Sequence, residues 1–261
     1  MKTVLLVFLS GFILIGTAPA EAPLWPHSPA LKHIGRAKVI ALGKRNTLVL
    51  DRRVAGSTIV YIGTLRLFNA KAVHRLLETT VVGKTVDLFA NVISLDRHGR
   101  LRAQIVTTDK VWLQARLLQS GVAVVDPYPG DETVALSLYP YETEARANKT
   151  GIWAISSYQI IDNREAQKFT GQFKLVTAKI VAAARIKGTV YLNFGDNWRD
   201  DFTVEIPRTA YQLLKQRGID PLTFTGRRIR VRGWIEEKNG PMIRITNPVQ
   251  IEFVDPPGYS P

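Results

Sequence analysis

Asp96-Arg97-His98-Gly99-Arg100-Leu101-Arg102-Ala103-Gln104-Ile105 is the stretch on which the reading of this chain turns. A polar turn with Gly99 at its tip runs into alternating apolar positions, the pattern of a hairpin feeding a strand. Downstream, Trp112 to Gln119 reads as a helix with Leu113, Leu117 and Leu118 on one side and a closing Gly121. A loop holding Pro127, Pro129 and Gly130 leads to a helix expected from about Glu142 to Lys149, and Gly151-Ile152-Trp153 follows. Upstream, Val39 to Ile62 is rich in Val, Ile, Leu and Thr and is broken at Gly43 and Ala55-Gly56-Ser57, as two or three short antiparallel strands would be. Asn69 is placed to cap a helix over Ala70 to Thr80, with Val73, Leu76 and Leu77 on its inner face, and Thr85 to Ile93 reads as a further strand. Strands, helix, strands, then helices suit a five-stranded barrel of the OB type with C-terminal helices, over 23–155.

A polar segment, 156–171, is expected to be a linker, after which the pattern restarts. Phe173 to Ile186 reads as one long strand, Thr189 to Phe194 and Asp201 to Ile206 as two more, and Thr209 to Gln216 as a helix closed by Gly218. Arg227 to Glu236 and Met242 to Thr246 form a hairpin across Asn239-Gly240-Pro241. This order, over 172–255 with a tail at 256–261, predicts a second OB-fold barrel, so the fold class is mainly β with helices (α+β). The run Gly226, Arg227, Ile229, Val231 to Gly233, then Asn239 to Pro241, Ile243, Ile245, Pro248, Gln250 and Ile251 resembles small OB modules.

The first 22 residues carry the marks of a secretory signal: Lys2, an apolar run from Val4 to Ile15, and Ala18-Pro19-Ala20 as a cleavage site. The expected location is periplasmic or secreted. The chain contains no Cys, which excludes disulfides, thiol catalysis and Cys-based zinc sites. Its formal net charge is +13, and both halves are basic, which favours nucleic acid or another polyanion as partner.

The frame around Asp96 to Ala103, Gly121-Val122-Ala123 and Glu144 to Trp153 resembles the staphylococcal-nuclease-like (thermonuclease) family. That resemblance implies Ca²⁺ held by carboxylates, a Glu that activates water, and two Arg on the scissile phosphate. The family keeps these groups in a "D-G-D-T" turn, an "R-L-x-G-I-D-A-P-E" strand end and a "D-x-x-G-R" turn. Only the last is intact, and it makes Arg100 the residual phosphate contact. In place of the first stands Lys44-Arg45-Asn46-Thr47. In place of the second, aligned on Gly63, Val60 takes the place of the Arg, Leu65 of the metal Asp and Phe68 of the base Glu. The resemblance therefore implies a shell without its catalytic carboxylates, and no confident catalytic residue.

A second candidate site comes from strand alternation. Arg228, Arg230, Arg232 and Trp234 alternate with Ile229, Val231 and Ile235, which places the cations and the indole on the face away from the core. Arg244 on the next strand and Lys179 on a neighbouring one are expected to join them, as a backbone-tracking, base-stacking surface. The bland alternative is a solvated face paired to Asp200, Asp201, Glu205 or Glu236. The acidic turn Gly195 to Asp201 lacks the spacing of a Ca²⁺ loop, and the four His lack ligand spacing, so no metal site is expected. The leading expectation is binding of nucleic acid or another polyanion without cofactor. The alternatives are an active Ca²⁺-dependent nuclease with relocated ligands, and an envelope scaffold that recruits protein partners.

Overall fold

A computed structural model describes residues 30–195, 197 and 200–254. Residues 1–29, which include the segment expected to be an export signal, the tail expected at 256–261, and Asp196, Trp198 and Arg199 of the acidic turn lie outside the described residues. The N-terminal half contains β1 (Lys32–Leu42), β2 (Leu48–Val54), β3 (Ser57–Ile62), β4 (Leu65–Leu67), α1 (Ala70–Thr80), β5 (Thr85–Ala90) and β6 (Leu101–Thr107). After these come α2 (Leu113–Gln119), β7 (Ala123–Val125) and α3 (Glu132–Ala147). Five strands close into a barrel in the order β1-β2-β3-β6-β5, with β3 and β6 parallel and the other pairs antiparallel. Val39, Leu48, Val60, Val86, Leu88, Leu101 and Ile105 are fully buried inside it. Helix α1 begins as expected, with the Asn69 side chain accepting from the Ala72 N–H, and buries Val73 and Leu77.

Two glycines explain the helical end of this half. Gly121 (φ 61°) and Gly151 (φ 58°) bring the ends of α2 and α3 together, and the Ile152 N–H donates to the Gly121 carbonyl at 2.8 Å. A methyl on Gly121 would overlap the Thr150 carbonyl oxygen, and one on Gly151 would overlap that of Gly121. Helix α3 starts ten residues before the position expected from sequence. Pro140 lies inside it but on the exposed face, where the carbonyl it leaves without a partner can be solvated.

The C-terminal half contains β8 (Ile161–Asp162), β9 (Phe173–Lys179), β10 (Ala182–Ile186), β11 (Thr189–Asn193), β12 (Thr203–Ile206) and α4 (Arg208–Gln216). The chain then forms β13 (Arg228–Glu237), β14 (Pro241–Arg244) and β15 (Ile251–Phe253). The sheet order is β10-β11-β12-β14-β13-β9-β8, with β15 on β13. The single long strand expected over 173–186 is broken at Ile180 and Val181: the Ile180 N–H still donates to Arg227 beside β13, whereas Val181 already donates to Asn193 beside β11. Taking β9 and β10 as the two parts of one interrupted strand, the five pairings match those of the first barrel, including one parallel pair, β12 with β14.

Residues 156–171, expected to be a linker, are built into this second sheet instead. Ile161 pairs with Val176, and Ile161 and Ala166 are buried in its core. The two halves meet across a charged seam. Arg232 of β13, with no exposed surface, donates to Glu142 of α3 at 2.7 and 3.1 Å, to the Val125 carbonyl at 3.0 Å and to Glu252. Asn247 donates to the Tyr128 carbonyl and to Glu132, and the Tyr139 hydroxyl donates to the Val249 carbonyl.

Candidate nucleic-acid interface

Two turns, strands β3, β4 and β6, and the segment after β7 surround an open depression of about 580 Å³. The turn between β1 and β2 presents Arg45, whose backbone, like that of Asn46, is left-handed (φ 56° for both). Strand β3 contributes Tyr61, β4 contributes Arg66, β6 contributes Arg102, and the Asp96–Arg100 turn contributes Arg97, His98 and Arg100. Tyr128, just after β7, completes the wall. Pairing of β4 with β7 fixes Arg66 beside Asp126, to which it donates at 2.7 Å.

Two of these cations lie on aromatic rings of the depression itself. The Arg102 guanidinium is 3.5 Å from the Tyr128 ring centre, and that of Arg100 is 5.2 Å from the Tyr61 ring. Burial, with the neighbouring Tyr128 and Asp126, pushes the Tyr61 hydroxyl up to about 12, so it stays a neutral donor. The buried Nε–H groups of Arg66 and Arg102 have no acceptor among the described residues.

Among the described residues, Asp96 is the one carboxylate lining the depression, and it is tied down. Burial works against its ionisation, but the Arg100 side chain and the Arg100 and His98 backbone N–H groups hold its pKa at about 2. The Arg100–Asp96 contact is 2.6 Å. Arg100, expected as a phosphate contact, is thus paired first within its own turn. Burial raises the pKa of Asp126 despite the Arg66 guanidinium beside it.

The other positions named from the family motif have no metal chemistry. Leu65 is buried in the barrel core and Val60 is fully buried. Phe68 packs edge-on against Tyr158 with ring centres 5.3 Å apart. Among the described residues, no group of three or more His, Asp or Glu is placed to hold a metal ion. The donor set of the depression, five guanidinium groups and one engaged carboxylate, does not fit a hard divalent cation, which needs several free oxygens.

Residues 54–155 match the family described as staphylococcal nuclease homologue. This barrel is a staphylococcal-nuclease-like domain. The match starts at the last residue of β2, so the Lys44–Asn46 turn precedes it. No curated protein matches the chain.

The second group of candidate residues does not form one free cationic face outside the nuclease-like domain. Alternation along β13 is as expected, with Ile229, Val231 and Ile235 buried. Its other face, however, is largely covered. Arg232 is the clear correction: it lies inside the seam with Glu142 and Glu252, because α3 of the nuclease-like domain packs on the face expected to be solvated. Arg230 is half-buried, 3.6 Å from Glu252. Arg244 pairs with the buried Glu205 at 2.7 Å. Lys179 and Arg228 are exposed neighbours across the β9–β13 pair. Trp234 is 47% exposed.

Sequence reasoning named Arg100 in this depression but not Arg45, Tyr61, Arg66, Arg97, Arg102 or Tyr128, and of these Arg66 has the most distant partners. Its guanidinium sits in the corner between the Phe173 and Trp234 rings, 4.6 Å from each centre, and the two rings stand nearly perpendicular (86°). Those aromatics lie more than a hundred residues away in sequence, so no local pattern flags the contact. Phe173 and Trp234 of the second sheet thus touch a residue that lines the depression, although neither itself lines it.

Proposed function

We propose that this is an exported nucleic-acid-binding protein that holds a phosphodiester backbone in the arginine-lined depression and does not hydrolyse it. One observation carries the reading: Arg45, Arg66, Arg97, Arg100 and Arg102 line the depression, and among the described residues only Asp96 of the carboxylates lines it with them; Asp96 is paired with Arg100 and the adjoining Asp126 with Arg66, which leaves Arg45, Arg97 and Arg102 in excess. A depression with this charge balance favours a polyanion over a cation. Guanidinium groups bind phosphate oxygens through charge-assisted, often bidentate bonds, and stacking on Tyr61 and Tyr128 pre-orients two of them. Hydrolysis requires a barrier lowering of at least about 8 kcal/mol. Leu65 and Phe68 can supply neither metal coordination nor a general base towards it. We read the second sheet as an OB module on the strength of its pairing pattern.

The test is a fluorescence-anisotropy titration of the mature chain with a labelled single strand at rising salt, beside a cleavage assay with and without Ca²⁺. Engagement of three or four phosphates predicts a log–log salt slope of about −2 to −3. Arg45→Ala combined with Arg102→Ala should flatten that slope and weaken binding, and no product should appear with Ca²⁺. Ca²⁺-dependent cleavage abolished by Arg100→Ala would replace this reading with the nuclease. Absence of binding at low salt would leave the protein-scaffold alternative.

A further inference from the structure

Arg66 links the depression to Trp234 of the second sheet, which does not itself line it. Arg66 lines the phosphate depression, and the same guanidinium rests over the Trp234 ring at 4.6 Å. Phe173 meets the indole edge-on, with ring centres 6.3 Å apart, and fixes its plane. Phe173 is itself buried, so this support is anchored in the interior. The indole nevertheless keeps 47% of its surface exposed, an unusual state for the largest apolar side chain in a chain whose other described tryptophans, Trp112 and Trp153, are buried. A flat, rigidly supported aromatic beside a row of phosphate-binding cations is what an unpaired base requires: the backbone lies on the guanidinium groups and the base stacks on the ring. A paired base keeps its face inside the duplex and cannot use such a ring.

We propose that Trp234 is a base-stacking platform joined to the arginine depression through Arg66, so that the ligand is a single strand spanning the nuclease-like domain and the second sheet. The inference rests on the nucleic-acid reading above and adds the ligand's strandedness and the contribution of the second sheet. Arg66 is the hinge of this arrangement. Its planar group contacts the aromatic pair and Asp126 while lining the depression, so it sets the distance between backbone and base sites.

The experiment compares the full chain with Trp234→Leu and Trp234→Phe on three labelled ligands of equal length: oligo-dT, a duplex, and a single strand of abasic spacers. Leu keeps an apolar cover over Arg66 but offers no flat face; Phe keeps one. Wild type should prefer oligo-dT to duplex. Trp234→Leu should lose about tenfold in oligo-dT affinity, whereas Trp234→Phe retains most of it. Neither substitution should change binding of the abasic strand. An equal loss on all three ligands would reduce Trp234 to a structural cover for Arg66 and overturn the proposal. Unchanged oligo-dT binding in Trp234→Leu, alongside weakening by Arg102→Ala, would overturn it while leaving the phosphate site standing. Failure of wild type to bind any of the three would overturn both.

Discussion

The seam between the two halves predicts that Arg232→Ala is among the most destabilising single substitutions in the chain. Side-chain exposure is 0% for Arg232 and 1% for Glu142, so removal of the guanidinium leaves a carboxylate with almost no access to water. Glu142 would retain the Arg146 guanidinium at 3.1 Å and the Val125 N–H at 2.7 Å, which moderates the loss. Glu252 is about one-fifth exposed and can resolvate. Breaking one side of a buried ion pair costs about 3–5 kcal/mol, and the partial compensation at Glu142 favours the lower half of that range. Against a total stability of about 5–15 kcal/mol, the variant retains little margin. With a urea m-value of about 3 kcal/mol/M, the unfolding midpoint should fall by about 1 M.

Urea rather than guanidinium is the denaturant of choice, because a salt would screen the charges under test. The decisive comparison is a double-mutant cycle. Arg232→Met together with Glu142→Leu removes both buried charges and fills the seam with apolar volume, so it should cost less than Arg232→Ala alone. A midpoint for Arg232→Ala within about 0.3 M of wild type, equivalent to under about 1 kcal/mol, would refute the claim that the seam is held by this pair. So would a double variant as unstable as the sum of its single changes.

Geometry elsewhere gives three further outcomes. Asp96 has a folded pKa of about 2 against an ordinary 3.8, so its stabilisation is complete above the unfolded value and is lost as pH falls through about 2. With both partners about one-fifth exposed, the contribution is discounted to about 1–2 kcal/mol, and urea melts of wild type and Asp96→Asn should differ by that amount at neutral pH and converge near pH 2. Gly121→Ala combines a positive φ with overlap on the Thr150 carbonyl and should lose on the order of 3 kcal/mol in a thermal melt. Gly83→Ala, whose added methyl meets nothing within 4 Å, should lose only the backbone term of about 1–2 kcal/mol.

What sequence could and could not disclose follows from how far each decisive partner lies along the chain. The Asp96–Arg100 turn was legible because it is self-contained: the Asp96 carboxylate accepts from His98 and Arg100 within four residues, and Gly99 adopts φ 69° between them. The glycines at 121 and 151 were legible as helix stops, although their packing against each other was not. On β13 the alternation gave the correct faces and the wrong surroundings. A cation on the non-core face of a strand faces either solvent or a second interface, and period two does not distinguish them. The partner acid does. Glu142 lies on α3 in line with Ala135, Leu138 and Ala145, at spacings of a single helical face, and all four are buried. An acid set within an apolar helical stripe demands a cation from outside its own helix, since the ionised carboxylate cannot be buried alone. Arg146, one turn on, is still partly exposed and supplies only part of that charge. The stripe shows only when α3 is taken from Glu132 rather than Glu142, and Pro140 inside the helix breaks the local pattern by which that earlier start is recognised. The helix start and the environment of Arg232 were therefore a single error: with the stripe hidden, the Arg on β13 had no visible reason to be anything but solvated.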